Sequence, residues 1–189
     1  MLYHSPNELN LNYNDYALYA ILNLMNPMFL ALRAHLYDYD VLKSDFKEII
    51  EGRWTSEDNL HATICYFGNI FSTEELLEKL PPTFEKIEPL SLSSLEFFSH
   101  NNILYAKPEG YKLDMLHSSV CALFSLEHSK AFVPHVTLMR MKKVNDKQAL
   151  KEVLKRYKNK KIGVTQTSVE LMQSHFCPDG VKYITIKKF

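Results

Sequence analysis

Leu60-His61-Ala62-Thr63-Ile64-Cys65-Tyr66-Phe67 and Pro134-His135-Val136-Thr137-Leu138-Met139-Arg140 share one pattern, His-apolar-Thr-apolar, each inside a run that reads as a β-strand. Eight histidines and eight threonines spread over this chain would yield roughly 0.3 such His-x-Thr triplets by chance, so a single one carries little weight. Two in matching contexts carry more. Alternate side chains on a strand share a face, so each segment presents an imidazole and a hydroxyl side by side.

Working outward, residues 28–36 form an apolar run that reads as a buried strand. Residues 41–51 follow with apolar positions 42, 46, 49 and 50, a helical spacing closed by Gly52. Residues 59–67 are a second strand. Ser72 with Glu75 is a capping-box signature for a helix reaching Leu80 before Pro81-Pro82. Strands at 90–98 and 103–107 flank a His-Asn-Asn turn. Leu113, Leu116, Val120, Leu123 and Phe124 mark a helix over 111–126. Residues 132–141 read as a strand and 146–157 as a basic helix. Strands at 164–173 and 182–188 pair across the Pro178-Asp179-Gly180 turn. A helix over 13–25 ends at Asn26-Pro27, in an N-terminal extension, 1–27, set apart from a single domain at 28–189. Strands, hairpins and helices mix, so the fold class is α+β. No Gly-rich phosphate loop follows a strand, against a Rossmann or P-loop site.

The chain has 189 residues, 46% of them hydrophobic, enough for a real core. It carries 22 basic and 22 acidic residues, which argues against a broad attraction to duplex nucleic acid or an anionic membrane. The charge is unevenly placed. Residues 140–161 hold ten Lys and Arg against Asp146 and Glu152, a net +8 that leaves −8 elsewhere. Such a segment is a solvated helix face or a patch that guides an anionic ligand. Cys65, Cys121 and Cys177 are too few and too scattered for a disulfide framework or zinc knuckle, and fit a reducing cytoplasm. No apolar run is long enough to span a bilayer, and no secretory signal opens the chain. His4, His35, His100, His117, His128 and His175 lack a matching Thr and receive no role; His175 with Cys177 lacks further ligands at metal-site spacing.

Opening a phosphodiester requires a base to activate the attacking oxygen and an acid to protonate the leaving one. Histidine does both near neutrality. Threonine hydroxyls donate to the non-bridging oxygens where charge accumulates, so no cofactor or metal is needed in this scheme. Arg140 has the opposite parity to His135 and would point away on an ideal strand, unless the strand bulges or ends there. Tyr66 reads as a core residue or as a platform for a nucleobase, and Trp54 as core.

The two segments, with Arg53-Trp54 before the first, resemble the two-histidine phosphoesterase superfamily, and within it the RNA 2′,3′-cyclic phosphodiesterases long called 2′-5′ RNA ligases. The resemblance runs from about Met28 to the C-terminus; Leu171-Met172-Gln173-Ser174 and Gly180-Val181-Lys182-Tyr183 are similar to the family's closing strand pair. Ala62 and Cys65-Tyr66-Phe67 depart from its usual pattern. The resemblance implies a bilobal fold with pseudo-twofold symmetry and one His-x-Thr strand per lobe. It implies hydrolysis of RNA 2′,3′-cyclic phosphate ends to 2′-phosphates, and reversible 2′-5′ RNA ligation. His61 would be the acid, His135 the base, and Thr63, Thr137 and Arg140 the phosphate ligands. Competing readings are a phosphodiesterase acting on 2′-5′ oligonucleotides or small cyclic nucleotides, and a non-catalytic module binding RNA ends or nucleotides. The expected partners are RNA ends or small nucleotides with a cyclic phosphate, the expected state a monomer.

Overall fold

The computed structural model describes residues 26–127, 131–178 and 180–189. In chain order these form β1 (Met28–Leu36), α1 (Tyr39–Asp45), β2 (Ile50–Trp54), a 3-10 turn (Glu57–Asn59), β3 (His61–Gly68), α2 (Thr73–Lys79), β4 (Ser91–Phe98), β5 (Ile103–Pro108), α3 (Lys112–Leu123), β6 (Val136–Val144), α4 (Lys147–Arg156), β7 (Lys161–Cys177) and β8 (Gly180–Lys188). The predicted helix at 13–25 lies outside the described residues.

The strands join in the order β1-β3-β6-β5-β4-β7-β8, β2 adds to β6, and β1 also pairs with β7, so the ladder closes on itself. All the pairings are antiparallel. One half is β3-β1-β7-β8, the other β2-β6-β5-β4, which gives the expected α+β, two-lobed architecture. At the seam between them, β3 meets β6 at Ala62 and Val136.

The sheet's two faces differ. Met28, Leu30, Leu32, Ala34 and Leu36 of β1 join the main core with Leu42, Leu76, Leu113, Val120, Leu150 and Val153 from the four helices. The intervening Phe29 and Ala31 point the other way, into a small cluster with Met172 and Tyr183. Helices therefore cover one face and leave the other free for chemistry. Two helix starts are fixed as their sequences dictate. Ser72 Oγ accepts from the Glu75 amide while Glu75 Oε2 accepts from the Ser72 amide, and Asp146 Oδ1 accepts from the amides of Gln148 and Ala149.

The helix expected over 41–51 is shorter, and residues 50–54 are the unpredicted strand β2. Leu42, Phe46 and Ile50 do reach the core, but from a helix, a turn and a strand in succession. Gly52 is not a helix stop. It lies where β2 crosses β6 so closely that a Cβ would collide with the Arg140 carbonyl. β6 also begins later than expected, at Val136, because residues 131–135 are irregular up to Pro134-His135.

Candidate functional site

Ala62 and Val136 are fully buried partners across the seam. Their neighbours His61, Thr63, His135 and Thr137 therefore emerge together on the opposite, helix-free face. In an antiparallel register His61 lies across from Thr137 and Thr63 across from His135. Strand spacing and rise put the two histidine Cα atoms about 8 Å apart on the diagonal. The two segments that sequence reading set side by side are thus one four-residue cluster.

Each strand then changes parity at the same place. On β1–β3, Leu30 faces Cys65 and Ala31 faces Thr63, which leaves Ile64 as an extra residue. On β5–β6, Leu104 faces Met139 and Tyr105 faces Thr137, which leaves Leu138 extra. Ile64-Cys65 and Leu138-Met139 are each buried in succession. These bulges return Tyr66 and Arg140, five residues after their histidines, to the site face. The parity problem at Arg140 is resolved this way, and Tyr66, 57% exposed, is not a core residue. Trp54 does pack inward, edge-on to Tyr39 and Phe46.

Side chains from the helical layer hold both bulges. His117 of α3 donates from Nδ1 to the Ile64 carbonyl at 2.7 Å. The Leu138 carbonyl accepts from the Thr55 amide at 2.8 Å, and the single Tyr39 hydroxyl proton is shared between the carbonyls of Thr55, at 2.9 Å, and Leu138, at 3.1 Å. Sequence reading missed both His117 and Tyr39, because no local pattern marks a residue whose partner is a distant carbonyl.

Each catalytic candidate is fixed in its tautomer. His61 Nδ1 donates to the Asn59 carbonyl at 2.7 Å and His135 Nδ1 to the Val133 carbonyl at 2.8 Å. A carbonyl only accepts, so in each neutral ring Nε2 is the nitrogen left with a lone pair. Aromatic rings flank both imidazoles: Phe29 and Tyr183 at 5.0 and 4.7 Å from His61, Phe98 and Tyr105 at 5.1 and 5.6 Å from His135. Burial lowers the His61 pKa to about 4, helped by the charges of His135 and Arg33 and opposed by the Asn59 bond. His135 is also lowered, by burial and then by Arg140, against the Val133 bond.

The His61 side carries a further lock. Arg33, opposite His61 on β1, donates from Nε to buried Glu170 at 3.1 Å, from Nη2 to Thr185 at 3.0 Å, and from Nη1 to the Asp58 carbonyl at 2.6 Å. Asn59, next in that turn, donates its side-chain amide to the Val181 carbonyl and accepts from the Tyr183 amide. The turn that orients His61 is thus tied to β1, β7 and β8.

Among the described residues no cluster of His, Cys, Asp and Glu is arranged to hold a metal ion. No helix among them is long and apolar enough to cross a membrane.

Two imidazoles, two hydroxyls and a guanidinium on one face are the donors and acceptors that phosphoryl chemistry uses. Residues 47–175 match the 2′-5′ RNA ligase superfamily, and the chain belongs to that family. It is 27% identical over 163 residues to an RNA 2′,3′-cyclic phosphodiesterase of Aquifex aeolicus, covering 78% of this chain and 86% of the relative. A protein of the same name from Methanocaldococcus jannaschii is 24% identical over 142 residues, covering 70% and 81%. The fold is that of E. coli LigT complexed with 3′-AMP, with a TM-score of 0.64 at 17% identity, covering 87% of this chain and 97% of LigT. TT0787 of Thermus thermophilus gives 0.61 at 18%, covering 86% and 96%.

Proposed function

We propose that this protein opens 2′,3′-cyclic phosphates at RNA ends to leave 2′-phosphates, with reversible 2′-5′ ligation when a 5′-hydroxyl takes the place of water. The observation that supports this reading is the pairing of Ala62 with Val136, whose neighbours His61, Thr63, His135 and Thr137 share the helix-free face. The relatives' names support the same substrate class.

Water attacks phosphorus as one imidazole Nε2 removes its proton. The P–O3′ bond breaks, and the other ring, which enters protonated as imidazolium, delivers its Nε2 proton to O3′ and ends neutral. The products are a 2′-phosphomonoester and a free 3′-hydroxyl. Thr63 and Thr137 donate to the non-bridging oxygens, and Arg140 balances their growing charge. Tyr66 offers its exposed ring to the base beside the phosphate. Both proton-transfer groups come from the chain, so the scheme works without a metal.

Family analogy assigns the acid to His61 and the base to His135. The low pKa of His61 favours the opposite order, since a ring neutral down to about pH 4 enters as the base. A substrate with sulfur in place of O3′ separates the two, because a thiolate departs without protonation. The alanine variant rescued by that substrate has lost the acid.

The test of the main reading is product analysis of a short RNA with a 2′,3′-cyclic end, incubated in EDTA with wild-type protein, His61→Ala and His135→Ala. Conversion to the 2′-phosphate by wild type alone is expected. Turnover restricted to 2′-5′ oligonucleotides or cyclic mononucleotides would reassign the substrate, and tight binding without turnover would make the protein a binding module. We further propose a single domain over residues 28–189 and a cytoplasmic setting, the latter supported by free thiols at Cys65, Cys121 and Cys177.

A further inference from the structure

The imidazoles do not themselves line the cavity of about 1060 Å³ that opens beside them, bordered by Arg53, Arg140, Asn59, Lys182, Tyr183 and Gln166 among others. Ordinary small-molecule sites occupy about 300–1,000 Å³, so this space exceeds what one nucleotide requires. It shares Arg140 with the phosphate site and runs from there along the start of β8.

Arg53 on β2 is the direct cross-strand partner of Arg140 on β6, so both guanidinium groups leave the sheet on one face. Like charges directly opposite each other destabilise a strand pair. Among the described residues neither arginine has an ion pair or a hydrogen bond to a carboxylate, while other surface cations do, as in Lys143–Glu51 and Lys112–Glu85. The position is also built. Gly180, with φ +138°, leaves room for the Arg53 guanidinium, which occupies the space a Cβ would need. Lys182, exposed two residues further along β8, adds a third cation to the same wall.

We infer that this cavity is a subsite for the RNA chain behind the cyclic end, with Arg53 and Lys182 holding the next phosphodiester while Arg140 faces the reacting one. An anion lying between Arg53 and Arg140 removes the repulsion that the pair carries. The ligand class is therefore a single-stranded phosphodiester backbone rather than an isolated mononucleotide, and the residues concerned set specificity for chain length. The inference rests on the function proposed above.

The experiment compares kcat/KM for a trinucleotide with a 2′,3′-cyclic end and for the corresponding cyclic mononucleotide, in wild type, Arg53→Met and Lys182→Gln. Wild type is expected to favour the trinucleotide at least tenfold, and each variant to bring that ratio down toward one. Each lost phosphate contact should also lower the salt slope of trinucleotide binding by about 0.7. Lys182→Gln, at an exposed position, keeps the test valid should Arg53→Met disturb the β7–β8 turn. A wild type that opens both substrates with equal kcat/KM, or variants that retain the full ratio and salt slope, would overturn the subsite and leave the proposed activity standing. A wild type that opens neither substrate would overturn the activity, and the subsite with it.

Discussion

The strand carrying His61 and the strand carrying His135 are built alike and equipped differently. Both place Thr two residues after His, bulge at the next residue and return the fifth residue to the site face. Even their partners correspond: Leu30 and Ala31 face Cys65 and Thr63 as Leu104 and Tyr105 face Met139 and Thr137. Yet the fifth residue is Tyr66 on one side and Arg140 on the other. The His61 turn is tied down by Arg33 and Glu170, whereas the His135 Nδ1 rests on the carbonyl of an irregular segment. A symmetric backbone has thus been given an aromatic, charge-locked half and a cationic half. That division suits a substrate with a base at one end and a phosphate at the other.

The sharpest test of the shared half of this comparison is to remove either imidazole. His61→Ala and His135→Ala should each lower kcat by about 10²–10⁴-fold, and the double variant by little more than the worse single one. Simple addition of the two losses would show that the histidines do not serve one reaction.

Next comes the lock that only the first half possesses. Arg33→Met leaves the buried Glu170 carboxylate with only Lys188 and Thr185 as partners and should cost about 2–3 kcal/mol in chemical denaturation. It also removes a cation that disfavours imidazolium, so the His61 pKa, followed by NMR, should rise. Arg33→Lys keeps the charge and should keep more of the depression. An unchanged His61 titration in Arg33→Met would break the link between Arg33 and the site.

The low His61 pKa has a stability consequence of fixed sign. The unfolded chain binds a proton near pH 6.5, the folded chain only near pH 4. The contribution of neutral His61 is complete above pH 6.5 and is lost as pH falls toward 4, about 3 kcal/mol in all. Thermal melts of wild type should decline through that window, and those of His61→Gln should decline less. Equal slopes would mean that His61 titrates near its ordinary value.

The fifth positions should separate by substrate. Tyr66→Ala should raise KM by an amount that depends on the base, since stacking on an aromatic ring is worth about 1–3 kcal/mol. Arg140→Met should instead slow all substrates irrespective of base. A base-independent effect at Tyr66 would erase the proposed difference between the halves.

The smallest expected effect concerns the support of one bulge. Tyr39→Phe removes the one proton shared by the Thr55 and Leu138 carbonyls, the latter of which still has the Thr55 amide, and should cost about 1 kcal/mol by denaturant melts. No change in stability would mean that the amide alone holds the bulge.

Much of this arrangement is legible in the chain. The two His-x-Thr triplets, the capping box at Ser72 and the hairpin before β8 are local signals, because each depends on residues within a few positions of one another. The strand β2 reads as helix because apolar residues 46, 49 and 50 keep a helical spacing while serving a turn and a strand. Gly52 looks like a helix stop for the same reason: a glycine is read from its neighbours, and here its cause is the Arg140 carbonyl on a strand far along the chain.

The sequence by itself determined the α+β class, the paired histidines and threonines, and the chemistry open to them, since side-chain type and period-two alternation suffice for these. Only the tertiary structure decided that the two strands meet, that Arg140 and Tyr66 face the site, and that Arg33, Tyr39, His117 and Glu170 hold it in place. Bulges, cross-strand register and buried ion pairs arise from contacts between distant segments, and no pattern of neighbouring residues encodes which distant partner each will find.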